Sequence, residues 1–360
     1  MELSLRIRKF YILQFLTSLL FFTPVIVLFW QENGLSLTQI MLLQSWFSFL
    51  VVALDIPTGL FSDHYGRKHA IIISTIFFLL GCIIFSAGKN FLDFFIAEGC
   101  LAIGVCFFSG TGSAFLYDTL LSYGKEDAYK IVEGKSTFIS YASIAIASII
   151  GGLIAKISYR HTFFFMIPFF SAAVIVSLLL KEPRRHKKIY KYSIFTRIKK
   201  IAKFSLFENS ELRILILYSS LLLIFDAYAV WFFQPYFKIL NIPIAAFGVI
   251  FAILNIIIAI SAKYAHKIES AIGKKLSLNI LGFMMALSLI AMGKFLFFFS
   301  FLFVFLIEFV RGFSKPVITD YINKIVWSDK RATVISLRNT IRRLVFSITS
   351  PFIGLFGDKF

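Results

Sequence analysis

Several charged residues interrupt the longest apolar runs of the sequence, where charge is expensive. Asp226 lies in the middle of LLIFDAYAVWF, Glu98 lies in another apolar run, and Glu308 precedes Arg311 by three residues. Ionisable side chains inside membrane segments pair with one another, carry protons or hold charged solutes, so we treat these residues as candidates for solute binding and proton coupling. The set is completed by Arg342, Arg343 and Asp55.

The composition indicates a membrane protein. Hydrophobic residues make up 59% and charged residues 16% of the chain, and the mean hydropathy is +0.84, whereas soluble domains are about 45–50% apolar. The net charge of +18 would suggest nucleic acid in a soluble protein, but basic residues of membrane proteins gather in cytoplasmic loops. We therefore expect no nucleic-acid partner. The three cysteines lack metal-ligand spacing, and we expect no metal, no cofactor and no disulfide framework.

Eleven apolar runs are long enough to be membrane spans, which need about 20 mostly apolar residues. The first run is longer than the core of a signal peptide and lacks a small-residue cleavage site, so we interpret it as the first transmembrane helix. The runs are 10–30, 37–61, 69–88, 91–121, 136–157, 161–181, 211–237, 244–265, 276–293, 295–319 and 331–357.

The distribution of Lys and Arg predicts the orientation of the chain. These residues concentrate at the N-terminus and in the connections that follow even-numbered runs. The pattern places the N-terminus in the cytoplasm of a multi-pass protein of the inner or plasma membrane. The long basic connection, 181–210, is predicted to be a cytoplasmic linker between a six-helix bundle (1–180) and a five-helix bundle (211–360).

Within this linker, apolar residues recur at helical spacing among basic ones. They are Ile194, Ile198 and Ile201. The pattern fits a helix that lies on the inner leaflet, and it equally fits a solvated basic linker.

The two halves of the sequence resemble each other. In SGTGSAFLYD of the fourth run, Gly110 precedes Asp118 by eight residues, and in RGFSKPVITD of the tenth run, Gly312 precedes Asp320 by eight. ASIIGG in the fifth run corresponds in the same way to SPFIGL in the eleventh. Internal repeats of this kind are typical of secondary transporters, whose substrate sites lie where the repeats meet.

The connector DIPTGLFSDHYGRKHA, between the second and third runs, contains a proline, two glycines, two aspartates and a basic cluster, which a simple loop would not need. Gly59 and Asp63 are four residues apart and share one helix face. We predict that a neighbouring helix approaches closely at Gly59. Asp63 would then accept hydrogen bonds from the N-terminal amides of that helix. Gly66 permits a tight turn.

GLFSDHYGRK resembles the signature between the second and third helices of the major facilitator superfamily, Gly-x-x-x-Asp-x-x-Gly-Arg-Lys/Arg. All of its positions are present, as Gly59, Asp63, Gly66, Arg67 and Lys68. The resemblance covers essentially the whole chain and implies an all-α fold of two pseudo-symmetric helix bundles. Members of the family mostly have twelve helices, so this chain is expected to lack the twelfth.

The resemblance implies that the signature forms a charge cluster that latches the two halves on the cytoplasmic side. Asp63 would meet the start of the eleventh run, and Arg67 would pair with Asp118. The matching connector of the second half, AKYAHKIESAIGKK, keeps only Gly273, Lys274 and Lys275. A second latch there is therefore not expected.

Two further motifs of the family are only partly kept. The family often has Arg-x-x-x-Gly-x-Gly in the fourth helix, with the arginine linked to proton handling; here Glu98 takes the arginine position, and Ala102 takes that of the first glycine. Glu98 is interpreted as a proton carrier, as the partner of a basic residue on another span, or as a solvent-facing group. In the fifth run, Gly151 and Gly152 keep half of the Gly-Pro-x-x-Gly-Gly motif of proton-driven exporters.

Together these observations predict a secondary active transporter that moves a small organic solute by alternating access. We expect proton-coupled export, as in an efflux antiporter, by a monomer embedded in lipid. The alternatives are proton-coupled uptake of a sugar or organic acid, and a non-transporting sensor or truncated pseudo-transporter. Asp226 would either line the site or form a structural pair with Arg342 or Arg343, and these arginines also suit an anionic substrate. No nucleophile–base arrangement points to an enzyme.

Overall fold

The computed structural model of the chain describes residues 2–183 and 201–359, and within these residues the fold is all-α, as predicted. The helices of the first half are α1 (Glu2–Thr17), α2 (Ile26–Glu32), α3 (Leu37–Tyr65), α4 (Arg67–Ala87), α5 (Phe91–Phe108), α6 (Thr111–Leu121), α7 (Tyr129–Ala155) and α8 (His161–Leu178). The helices of the second half are α9 (Ser210–Ile239), α10 (Ile244–Ile272), α11 (Lys274–Lys294), α12 (Leu302–Ile325) and α13 (Ser328–Gly357).

In the part of the chain that the structure describes, eight segments are long and apolar enough to cross a membrane. They coincide with the second to ninth predicted runs, so the predicted count of eleven spans stays a prediction. These segments are Leu37–Tyr65, Arg67–Ala87, Phe91–Leu121, Glu126–Ala155, His161–Leu178, Ser210–Ile239, Ile244–Ile272 and Lys274–Lys294.

The first predicted span is not one continuous helix. α1 ends at Thr17 and α2 begins at Ile26, with Pro24 in the irregular stretch between them. Proline lacks the amide hydrogen that a continuing helix requires. The backbone carbonyl of Phe21 in this stretch lies against Gly151 of α7, so closely that a Cβ on the glycine would be 1.9 Å from the oxygen. The break therefore places main chain directly on α7.

The fourth predicted span is also divided, because α5 and α6 meet at Ser109 and Gly110. Gly110 has a φ of 71°, a left-handed conformation that glycine adopts without steric penalty. Its counterpart in the repeat, Gly312, lies inside the continuous helix α12. The repeated Gly–Asp spacing thus does not correspond to a repeated backbone conformation.

The predicted leaflet helix falls largely outside the described residues, because 184–200 belong to neither described range. Of its three isoleucines, Ile201 is described, and its side chain is buried.

The chain forms two compact units. Unit 1 comprises Met1–Lys187, Ile244–Ala252 and Thr349–Phe360, and unit 2 comprises Lys188–Pro243 and Ile253–Ile348. In unit 1, α4 packs against α5 and α8, and α1 packs against α7 and α8. In unit 2, α12 packs against α9 and α11. The first residues of α10 and the last residues of α13 thus group with the first half of the sequence, while the predicted boundaries of the two bundles stay a prediction.

Glycines allow two tight helix crossings at one end of unit 1, which we call the Gly152 end. A Cβ on Gly248 of α10 would lie 2.3 Å from the carbonyl oxygen of Ser148 in α7, and a Cβ on Gly152 would lie 2.9 Å from the amide nitrogen of Gly248. At the other crossing, a Cβ on Gly354 of α13 would lie 2.6 Å from Cα of Thr38 in α3. Small residues permit such close backbone approach in membrane helices.

Asp358 adds a polar contact to the second of these crossings. Its carboxylate accepts hydrogen bonds from the backbone amides of Leu37, at 2.6 Å, and Thr38, at 3.0 Å. These are unsatisfied amides of the first turn of α3, where a negative charge is also favoured by the helix dipole. The end of α13 therefore caps the beginning of α3.

Candidate functional site

The signature connector is a bend of one residue between two long helices. α3 ends at Tyr65 and α4 begins at Arg67, and Gly66 between them has a φ of 125°. The Arg67 side chain reaches back to α3, where it contacts Asp63 at 2.7 Å and donates a hydrogen bond to Ser62 at 3.1 Å. Its Nε lies 3.4 Å from Asp118 Oδ2 on α6. Arg67 thus joins α3, α4 and α6 through one guanidinium.

A further residue of the connector was missed by the sequence analysis. Glu182, just after α8, accepts hydrogen bonds from the backbone amides of Arg67, at 2.9 Å, and Lys68, at 2.7 Å. A Cβ on Gly66 would lie 3.0 Å from this carboxyl group. The only signal in the sequence was that Glu182 is a single acidic residue at the start of a basic stretch.

Replacing Glu182 with glutamine is expected to lower the free energy of unfolding by about 1 kcal/mol, because one acceptor and the charge at the first turn of α4 are lost. The measurement is a denaturant titration of the purified protein in detergent. The matched control is Glu208→Gln, whose exposed carboxylate pairs with Lys203 at 3.7 Å and whose loss should change stability by less than about 0.5 kcal/mol. Equal losses in the two variants would contradict the assignment.

Gly59 and Asp55 lie earlier in the connector, on α3. The close helix approach predicted at Gly59 is not present, since a Cβ there would meet no described atom within 4 Å. Asp55 lies two turns before Asp63 on α3 and is exposed. The roles of these two residues stay predictions.

The second half builds its connector differently. Gly273, between α10 and α11, also has a positive φ, of 79°. In place of an arginine–aspartate pair, Glu269 accepts a hydrogen bond from the Tyr321 hydroxyl of α12 at 2.6 Å. Lys274 contacts Glu211 at the start of α9 and lies over the Tyr321 ring. The second connector thus ties four helices together, α9 to α12, by a different set of contacts.

Glu98 is buried in unit 1. Its side chain is 3% exposed, and Gln44 Nε2 of α3 donates a hydrogen bond to its Oε1 at 3.3 Å. Among the described residues, no lysine or arginine forms an ion pair with it. The burial of Glu98 disagrees with a solvent-facing group in this conformation, and its role stays a prediction.

A second buried group of charges lies in unit 2. Asp226 of α9 and Glu308 of α12 are 4% and 3% exposed. Arg311 bridges them, with Nε 3.6 Å from Asp226 Oδ2 and a terminal nitrogen 3.4 Å from Glu308 Oε2. The ion-pair partner of Asp226 is thus Arg311, whereas the sequence analysis weighed only Arg342 and Arg343 as its structural partner.

The arginines of α13 extend this group of charges. Arg342 interacts electrostatically with Asp226 and with Arg311, Arg338 and Arg343. Arg338 is 5% exposed. We call Asp226, Glu308, Arg311, Arg338, Arg342 and Arg343 the unit 2 charge cluster. Asp226 lies in one of the eight apolar segments, where ionisable groups are candidates for function, and the role of the cluster stays a prediction.

These features define the class of the protein: it is an integral, multi-pass helical membrane protein with tight glycine crossings and charges buried inside its helices. The chain belongs to the Major Facilitator Superfamily, whose pattern it matches over residues 10–350. The predicted family is thereby confirmed.

Two relatives match parts of the chain. Multidrug resistance protein 1 of Bacillus subtilis (strain 168) is 30% identical over 167 residues, which are 46% of this chain and 41% of the relative. An uncharacterised MFS-type transporter of Methanocaldococcus jannaschii is 25% identical over 264 residues, which are 70% of this chain and 65% of the relative. The matches span less than two thirds of the length of either relative.

The fold agrees with that of solved transporters. The crystal structure of the nucleoside transporter NupG superimposes with a TM-score of 0.79 at 15% identity, covering 100% of this chain and 91% of that one. At this identity the likeness establishes the fold alone. The comparisons thus show the superfamily to which the chain belongs and its fold.

Proposed function

We propose that the protein exports a small organic solute across the inner or plasma membrane, by alternating access, in exchange for protons. The N-terminus would lie in the cytoplasm. The contacts of Arg67 with Ser62, Asp63 and Asp118, which we call the Arg67 network, would then be cytoplasmic, and the Gly152 end would be external. In this scheme the Arg67 network and the Gly152 end are the two gates, and the buried carboxylate of Glu98 carries the coupling ion. The relative named for multidrug resistance and the half-kept Gly-Gly motif both favour export.

Glu98 is the observation that carries proton coupling. A buried carboxylate that no cation of the described residues pairs with is expensive as an ion, and within the described ranges Glu98 accepts its hydrogen bond from the neutral amide of Gln44. Such a group is suited to gaining and losing a proton as its surroundings change between two conformations. The carboxylates of the unit 2 charge cluster, by contrast, already have Arg311 as a partner.

The experiment is solute flux in proteoliposomes with an imposed pH gradient. We expect solute to move against its own gradient as protons move down theirs, and Glu98→Gln to abolish this movement while solute exchange without a gradient continues. The matched control is Glu126→Gln, which removes an exposed carboxylate beside α7 and should leave both activities intact.

The same experiment separates the alternatives. Solute accumulation in the same direction as proton entry would replace export by uptake. Absence of any flux across a broad panel of solutes would favour a sensor or pseudo-transporter. Wild-type coupling in Glu98→Gln would remove Glu98 from the coupling pathway.

A further inference from the structure

The unit 2 charge cluster has more positive than negative groups. It contains four arginines, at 311, 338, 342 and 343, and two carboxylates, at 226 and 308. With all six ionised the sum is +2, because four positive charges exceed two negative ones. Of the four arginines, Arg338 is buried, at 5% exposure, and a buried charge is stabilised by an anion placed beside it.

Two arginines on one face of α13 have a donor atom that no described residue accepts. Arg338 and Arg342 are four residues apart and therefore lie about one helical turn apart on the same face. The Nε atoms of both are buried and have no hydrogen-bond partner among the described residues. Arg338 is almost fully buried, at 5% exposure. Two stacked guanidinium groups with free donors form a receptor for an oxyanion, which they can bind in bidentate fashion.

Two features beside these arginines suit the rest of a solute. Oδ1 of Asp226 is buried and has no hydrogen-bond partner among the described residues, so it can accept a bond from a hydroxyl or an N–H group. Tyr228 of α9 stacks on Phe346 of α13, with ring centroids 5.3 Å apart. Phe346 lies one turn beyond Arg342, so an aromatic surface adjoins the free donors.

We propose that unit 2 binds a small organic anion whose carboxylate or phosphate is held by Arg338 and Arg342. Asp226 accepts a hydrogen bond from a donor group of the same molecule, and the apolar body rests near Tyr228 and Phe346. A lipophilic cation is disfavoured, because the carboxylates that would attract it are already bridged by Arg311. The inference rests on the proposed transport function for its physiological meaning, but binding is testable by itself.

The test is equilibrium binding to the full-length purified protein in detergent, measured by calorimetry at fixed salt. The probes are salicylate, its neutral amide salicylamide, phenyl phosphate and tetraphenylphosphonium. We expect salicylate or phenyl phosphate to bind at least about tenfold more tightly than salicylamide, since a charged hydrogen bond contributes about 1.5–3 kcal/mol. A preference between the two anions identifies the oxyanion as carboxylate or phosphate.

Variants locate the binding. Arg338→Gln and Arg342→Gln should each weaken anion binding at least about tenfold, and Arg342→Lys should weaken it less. The control Lys315→Gln removes an exposed positive charge from α12 and should leave the affinity unchanged. If Arg338→Gln fails to fold, as judged by gel filtration, Arg342→Gln alone carries the test.

Two outcomes would overturn the proposal. One is tighter binding of tetraphenylphosphonium than of either anion, and the other is anion affinity that is equal in wild type and in folded Arg342→Gln. Because no flux is measured, these outcomes leave the proposed export function standing. Conversely, anion binding without any flux would reject transport and keep the site.

Discussion

Replacing Arg311 with glutamine is expected to abolish transport and to lower the free energy of unfolding by about 1–3 kcal/mol, less than the usual cost of breaking a fully buried ion pair because the Arg311 side chain is 44% exposed. The reason is that Asp226 and Glu308 remain buried on adjacent helices, at 4% and 3% exposure, after losing the guanidinium that bridges them. Flux in proteoliposomes and denaturant titration in detergent measure the two effects separately.

A double variant distinguishes a functional from a structural role. Asp226→Asn combined with Arg311→Gln removes one of the stranded charges and should recover part of the lost stability without recovering transport. The matched control is Lys324→Gln, which breaks an exposed pair with Asp320 on the same helix and should change stability by less than about 0.5 kcal/mol. Transport at the wild-type rate by folded Arg311→Gln would show that the bridge only holds α9 and α12 together.

Replacing Gly248 with alanine is expected to open the Gly152 end and to stop the transport cycle. The new Cβ would lie 2.3 Å from the carbonyl oxygen of Ser148 and 3.1 Å from Cα of Ile149, and backbone atoms cannot move aside as a flexible side chain can. Overpacking costs about 1–3 kcal/mol. Because this cost falls on the conformation in which α7 and α10 touch, the population shifts away from it by about 5- to 150-fold.

Thiol labelling reports the opening of this end. With the three native cysteines replaced by serine, a cysteine at Ile149 should react with a water-soluble maleimide faster in Gly248→Ala than in its parent. The control is Gly134→Ala, also on α7, where a new Cβ meets nothing within 4 Å. This variant should label and transport like the parent. Unchanged labelling in Gly248→Ala, or an equal effect in Gly134→Ala, would contradict the gate.

The sequence predicted local features whose causes lie within a few residues of each other. The Gly66 bend depends on a single glycine, and the pairing of Glu308 with Arg311 joins residues three positions apart. The overall helical class follows from composition in the same way. Such features depend on helix periodicity and backbone freedom, which a single sequence displays directly.

The contacts that sequence reasoning missed join residues far apart in the chain. Glu182 binds amides 114 and 115 positions earlier, and Arg311 is 85 positions from Asp226. Nothing in the local pattern of either partner specifies the other. The break in the first span was missed for a different reason, since hydropathy does not register Pro24 or the contact of the Phe21 carbonyl with Gly151.

The contact by which Asp358 caps α3, at the Gly152 end, is expected to persist at mildly acidic pH. Partial burial raises the pKa of Asp358, but hydrogen bonds from Thr38 and Leu37 outweigh this and leave the pKa below its ordinary 3.8. The stabilisation from a carboxylate with a lowered pKa is fully present above the ordinary value and is lost only as pH falls through the lowered one. At about pH 5 the Asp358 carboxylate therefore remains charged and continues to cap α3. A fall in pH to this range therefore does not by itself break the contact between α13 and α3.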